Sequence, residues 1–240
     1  MTTTNNRSKM THTPFKDIPI KHAATVILVR STSDGHNILM GQRGKSAVFM
    51  PNKFVFPGGG LDAADARVTL NGRASDTCMA RLASQTSEDL AQPLLAAAIR
   101  EMWEETGHPI GIASDSAFDM ASEQPKNWQS FFEAGYLPNP SGLEFIFRAV
   151  TPPGRPRRFD ARFFLGRADL IQGDPDDFSR AEDELSHLQW IPLAKSREFD
   201  LPFITEVVLA EVQNRLENPE ADHPVPFFTH DGERSQFLEL

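Results

Sequence analysis

Apolar residues along the chain form short runs typical of strands and longer stretches typical of helices. The run from Ala23 to Arg30 is apolar and rich in β-branched residues, which predicts a buried strand. The turn signal Asp34-Gly35 follows, and Ile38 to Arg43 is predicted to be the second arm of a hairpin. Further strands are predicted at 54–56, 144–150, 162–165 and 187–191.

Two longer stretches predict helices that pack against these strands. Pro93 to Thr106 is rich in Ala, Leu, Met and Glu, and Gly107 is a natural C-terminal stop. Phe203 to Leu216 predicts an amphipathic helix. Short helices are also expected near 78–83 and at 128–134, with a loop at 111–127. The irregular alternation of strands and helices indicates a mixed sheet covered by helices, in a single α/β domain.

Polar stretches give the expected domain boundaries. Residues 1–17 predict a flexible N-terminal arm, residues 18–218 the folded domain and residues 219–240 a C-terminal tail. Within the domain, residues 66–90 are polar and have no clear period. This segment is expected to be mobile without ligand, either as part of a substrate lid or as a plain loop.

Composition excludes several functional classes. The formal net charge is −9, which argues against a general nucleic-acid binder or a polybasic membrane-surface protein. Cys78 is the only cysteine, so no intramolecular disulfide and no cysteine-based zinc site are possible. The chain has no apolar run near the roughly 20 residues of a membrane span and no secretory signal. A cytoplasmic location is predicted, with a mitochondrial transit peptide as the alternative.

Three glutamates share one face of the first predicted helix: Glu101, Glu104 and Glu105. Like charges at these spacings destabilise a bare helix, and the helix dipole disfavours anions near its C-terminus. A solvated surface turn is one interpretation. The other is a metal site, because three carboxylates on one face suit Mg²⁺ or Mn²⁺ bound to a phosphate-bearing substrate.

A glycine run, Gly58-Gly59-Gly60, stops the short strand at 54–56. Alone it is an ordinary tight turn, or a loop of minimal bulk whose backbone can approach a metal or a phosphate.

Together the run and the helix resemble the signature of the Nudix hydrolases, G-x5-E-x7-R-E-U-x-E-E-x-G-U, where U is a bulky aliphatic residue. Gly59 matches the first glycine, and residues 100–107 match R-E-U-x-E-E-x-G in unbroken register. The chain departs from this pattern in three ways. Asp65 replaces the first Glu, 34 residues rather than 7 separate it from Arg100, and His108 replaces the last aliphatic residue.

The interrupted signature, with FPGGGLDAAD at 56–65 and TPPGRPRRFDARFFL at 151–165, resembles the Nudix branch that includes the peroxisomal coenzyme A diphosphatases. The resemblance implies an α/β/α sandwich and metal-dependent hydrolysis of the pyrophosphate bond in a nucleoside diphosphate linked to another moiety. Coenzyme A or acyl-CoA is the implied substrate, while ADP-ribose, NADH and dinucleoside polyphosphates remain open.

The resemblance also implies the ligands of Mg²⁺ or Mn²⁺: Glu101, Glu104, Glu105 and the carbonyl of Gly59. Arg100 would orient the glutamates. The role of Asp65 is in doubt, because its side chain is one methylene shorter than that of Glu.

In this family, either the first glutamate of the helix or a glutamate outside the signature deprotonates water. The candidates are therefore Glu101 and Glu184, since Glu184 lies at a fitting distance before Trp190. An ordinary acidic loop is the alternative for Glu184.

Five arginines lie within fifteen residues of one another: Arg148, Arg155, Arg157, Arg158 and Arg162. Arg157 and Arg158 are candidates for binding substrate phosphates, because a guanidinium binds them bidentately. A solvated turn is the alternative. Arg43, at the end of a predicted strand that faces the glycine loop, and Gly58 complete the predicted substrate-binding set.

A Nudix-fold module that senses a nucleotide without hydrolysing it is the alternative from a different class. Such modules generally have an eroded signature, whereas every charged residue of R-E-x-x-E-E is present here. The predicted partner is a small nucleotide, with no nucleic acid and no membrane. The oligomeric state stays open, a homodimer included.

Overall fold

The computed structural model describes residues 18–84, 89–230 and 234–240. The arm predicted at 1–17, and residues 85–88 of the predicted mobile segment, lie outside the described residues.

Eleven strands are present in the described ranges: β1 Ile20–Thr32, β2 Gly35–Arg43, β3 Phe54–Val55, β4 Gly58–Gly60, β5 Gly111–Ala113, β6 Tyr136–Pro138, β7 Glu144–Val150, β8 Arg158–Arg167, β9 Leu185–Pro192, β10 Pro226–His230 and β11 Ser235–Glu239. The α-helices are α1 Asp76–Ala83, α2 Ala91–Thr106, α3 Asp115–Met120, α4 Lys126–Glu133 and α5 Phe203–Glu217.

Nine strands form one mixed sheet, in the order β11-β10-β7-β8-β1-β2-β3. β4 pairs with β1, and β9 pairs with β2. β1 is parallel to β8 and β10 is parallel to β7, whereas the β1–β2 and β7–β8 pairs are antiparallel. β5 and β6 form a separate two-stranded ribbon.

Helices cover both faces of this sheet. In β1, Val26 and Leu28 pack with α1, α2 and α4, whereas Ile27 and Val29 pack on the other face with α5. A strand buried on both faces needs a continuous apolar run, and the sequence from Ala23 provides it. The α/β/α sandwich with a mixed sheet, in a single domain, is therefore confirmed.

The C-terminal segment differs from the tail predicted at 219–240. Within it, β10 and β11 form an antiparallel hairpin, and β10 extends the main sheet beside β7. Val225 and Phe227 are buried, and the guanidinium of Arg148 lies 4.3 Å from the centroid of the Phe227 ring. The segment belongs to the folded domain because its apolar side chains are buried against that domain.

The segment predicted as a mobile lid or loop, 66–90, also differs from expectation where it is described. Val68, Ala74, Cys78 and Leu82 are all buried in the core beside α2. The described part is therefore a packed layer of the fold. The loop predicted at 111–127 likewise contains β5, α3 and a short 3-10 turn.

In the described ranges, every helix is too short or too polar to cross a membrane.

Candidate active site

The glycine run is built into the sheet as β4. β4 pairs antiparallel with β1, so that Gly58 lies opposite Thr25 and Gly59 opposite Ala24. A Cβ at Gly58 would lie 2.5 Å from the carbonyl oxygen of Ala24, and a Cβ at Gly59 would lie 2.5 Å from Oε1 of Glu101. Gly58 therefore requires glycine because of the neighbouring backbone, whereas a side chain at Gly59 would displace the Glu101 carboxylate.

α2 brings its glutamates to this loop at its C-terminal end. Gly107 ends the helix with φ +74°, and its N–H donates to the carbonyl of Trp103 at 2.8 Å. Glu105 is buried, and the N–H of Gly58 donates to its Oε2 at 2.7 Å. Its Oε1 is also buried but has no hydrogen-bond partner. Such an oxygen needs a cation, its own proton or a further hydrogen-bond donor such as water.

Arg100 lies at the centre of the carboxylates and is buried. Its Nε and Nη2 donate to Asp65 at 2.9 and 3.1 Å, and Nη2 also donates to the carbonyl of Gly60 at 2.9 Å. Its Nη1 donates to Glu101 at 2.8 Å and to Glu104 at 2.7 Å. Burial disfavours the charge of Arg100, but Asp65 and the two glutamates outweigh it and raise the pKa of the guanidinium.

Asp65 keeps the contact with Arg100 despite its shorter side chain. It is fully buried, and it accepts two further hydrogen bonds, from the N–H of Asp62 at 2.9 Å and from the indole N–H of Trp128 at 3.0 Å. Trp128 is not among the site residues predicted from the sequence. It lies 63 residues from Asp65, on a short helix without a chemical motif, and no sequence signal joins the two.

Burial of the glutamates changes their acidity. Burial raises the pKa of Glu101 to about 7, against the opposing effect of Arg100 and with a further increase from Glu104. Burial likewise raises the pKa of Glu105 well above its ordinary value, and the charge of Glu101 adds to the effect. The pKa of Glu104 is raised for the same main reason, its burial. These three carboxyl groups therefore hold their protons more tightly than exposed glutamates do.

Glu184 and Arg43 meet at the other side of the glycine loop. Arg43 Nη2 donates to Glu184 Oε1 at 2.9 Å. The negative charge of Glu184 contributes to the raised pKa of both Glu101 and Glu105. The structure thus brings this loop glutamate to the edge of the same carboxylate group.

A cleft of about 1440 Å³ opens in front of these groups. Its lining includes Glu101, Glu184, Arg43 and the glycine run. Arg157 and Arg158 lie along the same cleft, beyond the turn at 152–155, and Arg158 Nε donates to the carbonyl of Thr151 at 3.1 Å.

Two other arginines of the cluster, Arg148 and Arg162, have structural partners. Arg148 Nη2 and Arg162 Nη1 form ion pairs with buried Asp160 at 2.7 and 3.0 Å. Their guanidinium groups therefore stabilise the sheet, while Arg157 and Arg158 face the cleft.

Comparison with known proteins places this geometry in context. No family model matches the chain. A Caenorhabditis elegans protein with the provisional name nudix hydrolase 7 is 28% identical over 182 residues, which cover 71% of this chain and 51% of that protein. The chain thus spans about half the length of this relative.

Among solved structures, a Nudix hydrolase from Alicyclobacillus acidocaldarius matches with a TM-score of 0.62 and 26% identity, over 81% of this chain and 91% of its own. The protein has the Nudix hydrolase fold. The worm relative and this structure support placing it in the Nudix hydrolase superfamily, without indicating a branch. The NUDIX domain of Shewanella oneidensis NrtR, complexed with ADP ribose, matches over 82% of this chain and 89% of its own at 12% identity. Its TM-score of 0.47 is too low to inform the site.

The carboxylates of this Nudix fold suit a divalent cation by their donor chemistry and by the buried, unpartnered Oε1 of Glu105. In the described ranges, however, no three His, Cys, Asp or Glu side chains are arranged so that they could hold a metal ion as they stand. Glu101 and Glu104 both accept hydrogen bonds from Arg100 Nη1. A cation between the glutamates would compete with Arg100 Nη1 for these two carboxylates.

Proposed function

We propose that this chain is a metal-dependent Nudix pyrophosphatase, which hydrolyses the pyrophosphate bond of a nucleoside diphosphate linked to another moiety. The observation that carries the proposal is Glu105 Oε1, a buried carboxylate oxygen without a donor, beside two further glutamates and a glycine loop. The proposed ligands of Mg²⁺ or Mn²⁺ are Glu101, Glu104, Glu105 and the carbonyl of Gly59. When bound, the ion would neutralise the charge that develops on the phosphates.

The side chains of this protein have separate tasks in the proposed reaction. Arg100 holds Glu101 and Glu104 through Nη1 and so fixes where their carboxylates lie. Glu101 or Glu184 takes the proton from the attacking water, whose oxygen forms the new bond to phosphorus. The bond between that phosphorus and the bridging oxygen breaks, so the two phosphates that it joined end on different products.

Substrate binding falls to the cationic and glycine-lined parts of the cleft. Arg43 lies beside Glu184, and Arg157 and Arg158 lie farther along the cleft, where guanidinium groups suit additional phosphates. The favoured substrate is coenzyme A or acyl-CoA, which would give a phosphopantetheine and adenosine 3′,5′-bisphosphate. ADP-ribose, NADH and dinucleoside polyphosphates are the alternatives. The cytoplasmic location stays a prediction.

The second candidate is a nucleotide-sensing module. The observation that favours it is the pairing of Glu101 and Glu104 with Arg100, which leaves no ready set of three ligands among the described side chains. A sensor needs only the cleft and its arginines.

A product assay by mass spectrometry tests the proposal. Coenzyme A, ADP-ribose, NADH and a dinucleoside tetraphosphate are each incubated with the protein and Mg²⁺ or Mn²⁺. We expect cleavage of at least one compound, lost in Glu104→Gln and retained in Glu133→Gln, which removes the same charge from an exposed position of α4.

Each outcome separates the candidates. Cleavage of coenzyme A supports the branch, and cleavage of another compound keeps the hydrolase and removes that substrate. Equal turnover by Glu104→Gln and wild type would contradict the metal assignment. Tight binding of one compound without any turnover would favour the sensor.

A further inference from the structure

Two buried indoles of the described chain lie in similar surroundings but have different partners. Trp128 and Trp103 each pack edge-on against Phe131, with ring centroids 5.6 and 5.7 Å apart. Trp103 Nε1 donates to the hydroxyl of Ser130 at 3.0 Å, a contact between two helices. Trp128 Nε1 donates to Asp65 Oδ1, also at 3.0 Å. Only the second contact reaches the group of charges around Arg100.

The orientation of Arg100 is set by Asp65. Asp65 Oδ1 accepts from Arg100 Nε and Oδ2 accepts from Arg100 Nη2, so that the carboxylate fixes the plane of the guanidinium. Nη1 is then left to Glu101 and Glu104. A rotation of the Asp65 carboxylate would therefore move the donor that both glutamates share.

Two donors outside this ion pair prevent that rotation. The N–H of Asp62 holds Oδ2 at 2.9 Å, and the indole of Trp128 holds Oδ1. Trp128 and Asp65 are both fully buried, so water cannot replace the indole N–H. Without that N–H, Oδ1 would keep Arg100 Nε as its one donor among the described contacts.

We propose that Trp128 is a positioning residue of the active site, acting through Asp65 on Arg100 and hence on Glu101 and Glu104. The inference rests on the proposed metal-dependent function of those glutamates. Removing a direct hydrogen-bond partner of a metal ligand typically changes metal affinity or activity by about 10- to 100-fold, and Trp128 acts two contacts farther out, so we expect roughly 3- to 10-fold. Trp128 does not line the main cleft, so its effect should appear in metal affinity and kcat and leave the KM for the nucleotide unchanged.

The test compares Trp128→Phe with Trp103→Phe. Both changes replace a buried indole by a phenyl ring and remove one hydrogen bond, so both should lower Tm, and Trp128→Phe more because its partner is a carboxylate. The probe is Mn²⁺ alone, with its Kd measured by electron paramagnetic resonance of the free ion. We expect the Kd to rise roughly 3- to 10-fold in Trp128→Phe and to keep its wild-type value in Trp103→Phe. Equal Kd changes in the two variants would overturn the proposal.

A second replacement of Trp128 guards against misfolding of Trp128→Phe. In 3-benzothienylalanine, sulfur replaces the indole N–H while the bicyclic shape is kept. Weaker Mn²⁺ binding with a near-wild-type Tm supports the positioning role, and wild-type binding refutes it.

Failure of this inference differs visibly from failure of the proposed function. If the wild type hydrolyses no nucleotide but Trp128→Phe still weakens Mn²⁺ binding, the hydrolase is wrong and the positioning role stands. If the wild type hydrolyses a nucleotide and Trp128→Phe matches it in kcat and Mn²⁺ Kd, the positioning role is wrong and the hydrolase stands.

Discussion

Three consecutive glycines should respond in three different ways to the same added methyl group. A Cβ at Gly59 would lie 2.5 Å from Glu101 Oε1, whereas a Cβ at Gly60 would meet nothing within 4 Å. A Cβ at Gly58 would lie 2.5 Å from the backbone oxygen of Ala24, which is part of the central strand β1 and cannot yield. Replacing each of the three glycines by alanine in turn therefore separates these cases.

The size of each effect depends on how far the neighbouring atoms can move. Ordinary contact between a methyl group and an oxygen needs about 3.4 Å or more, so the Glu101 carboxylate must move by roughly 1 Å in Gly59→Ala. This carboxylate is the far end of a flexible side chain, so the fold should survive. A misplacement of about 1 Å costs on the order of 100-fold in rate when a reacting group is involved.

The assay pairs Tm with Mn²⁺ affinity and nucleotide turnover. We expect Gly59→Ala to keep a near-wild-type Tm and to lose about 100-fold in turnover, with weaker Mn²⁺ binding. Gly60→Ala should fold and bind Mn²⁺ like the wild type, and Gly58→Ala should lose stability. Wild-type Mn²⁺ binding and turnover by a folded Gly59→Ala would refute the placement of Glu101 in the site.

Three further results are expected. In EDTA, Glu105→Gln should reduce the loss of stability that the wild type shows as the pH rises above 4.5, because burial raises the pKa of Glu105 and so disfavours its ionised form in the folded protein; equal pH slopes in urea denaturation would contradict this. At pH 7, Asp160→Asn should lower the free energy of unfolding by about 3 to 5 kcal/mol, because it breaks a buried ion pair with Arg148. Burial alone would raise the pKa of Asp160, but the two arginines outweigh burial and lower that pKa below 3.8. The ionised carboxylate therefore stabilises the fold above pH 3.8. This stabilisation is lost as the pH falls through the pKa that Asp160 has in the folded protein. Denaturation midpoints between pH 5 and pH 2.5 should thus fall more steeply in wild type than in Asp160→Asn, and parallel curves would contradict this. The thiol of Cys78 is buried and burial raises its pKa, so it should react with a disulfide reagent only after unfolding; rapid labelling of the native protein would argue against the packed layer.

The parts of this fold that sequence predicted are those fixed by local patterns. The continuous apolar run at Ala23 by itself indicates a strand buried on both faces. The helix predicted at 93–106 is indicated by its own composition and by the stop at Gly107. The spacing of Glu101, Glu104 and Glu105 follows from helical geometry alone, so their shared face needed no knowledge of the rest of the chain.

The parts that were missed depend on pairing between distant segments. β10 extends the sheet beside β7, about eighty residues earlier, and short strands with a proline give little local signal for such a partner. The contact of Trp128 with Asp65 is invisible for the same reason. Arg148 appeared in a cluster of arginines, but its partner Asp160 is chosen by the register of β7 against β8.

The packed segment after Asp65 also changes how the two halves of the signature are connected. The chain takes 34 residues instead of 7 to pass from Asp65 to Arg100. If this tether were flexible, closing the longer loop would cost about 1.4 kcal/mol more in chain entropy. Burial of Leu82 alone contributes about 1.5 to 3 kcal/mol and offsets that difference. The carboxylates are thus held together by the core rather than by a short covalent link, and shortening the segment to the usual length would remove part of the core.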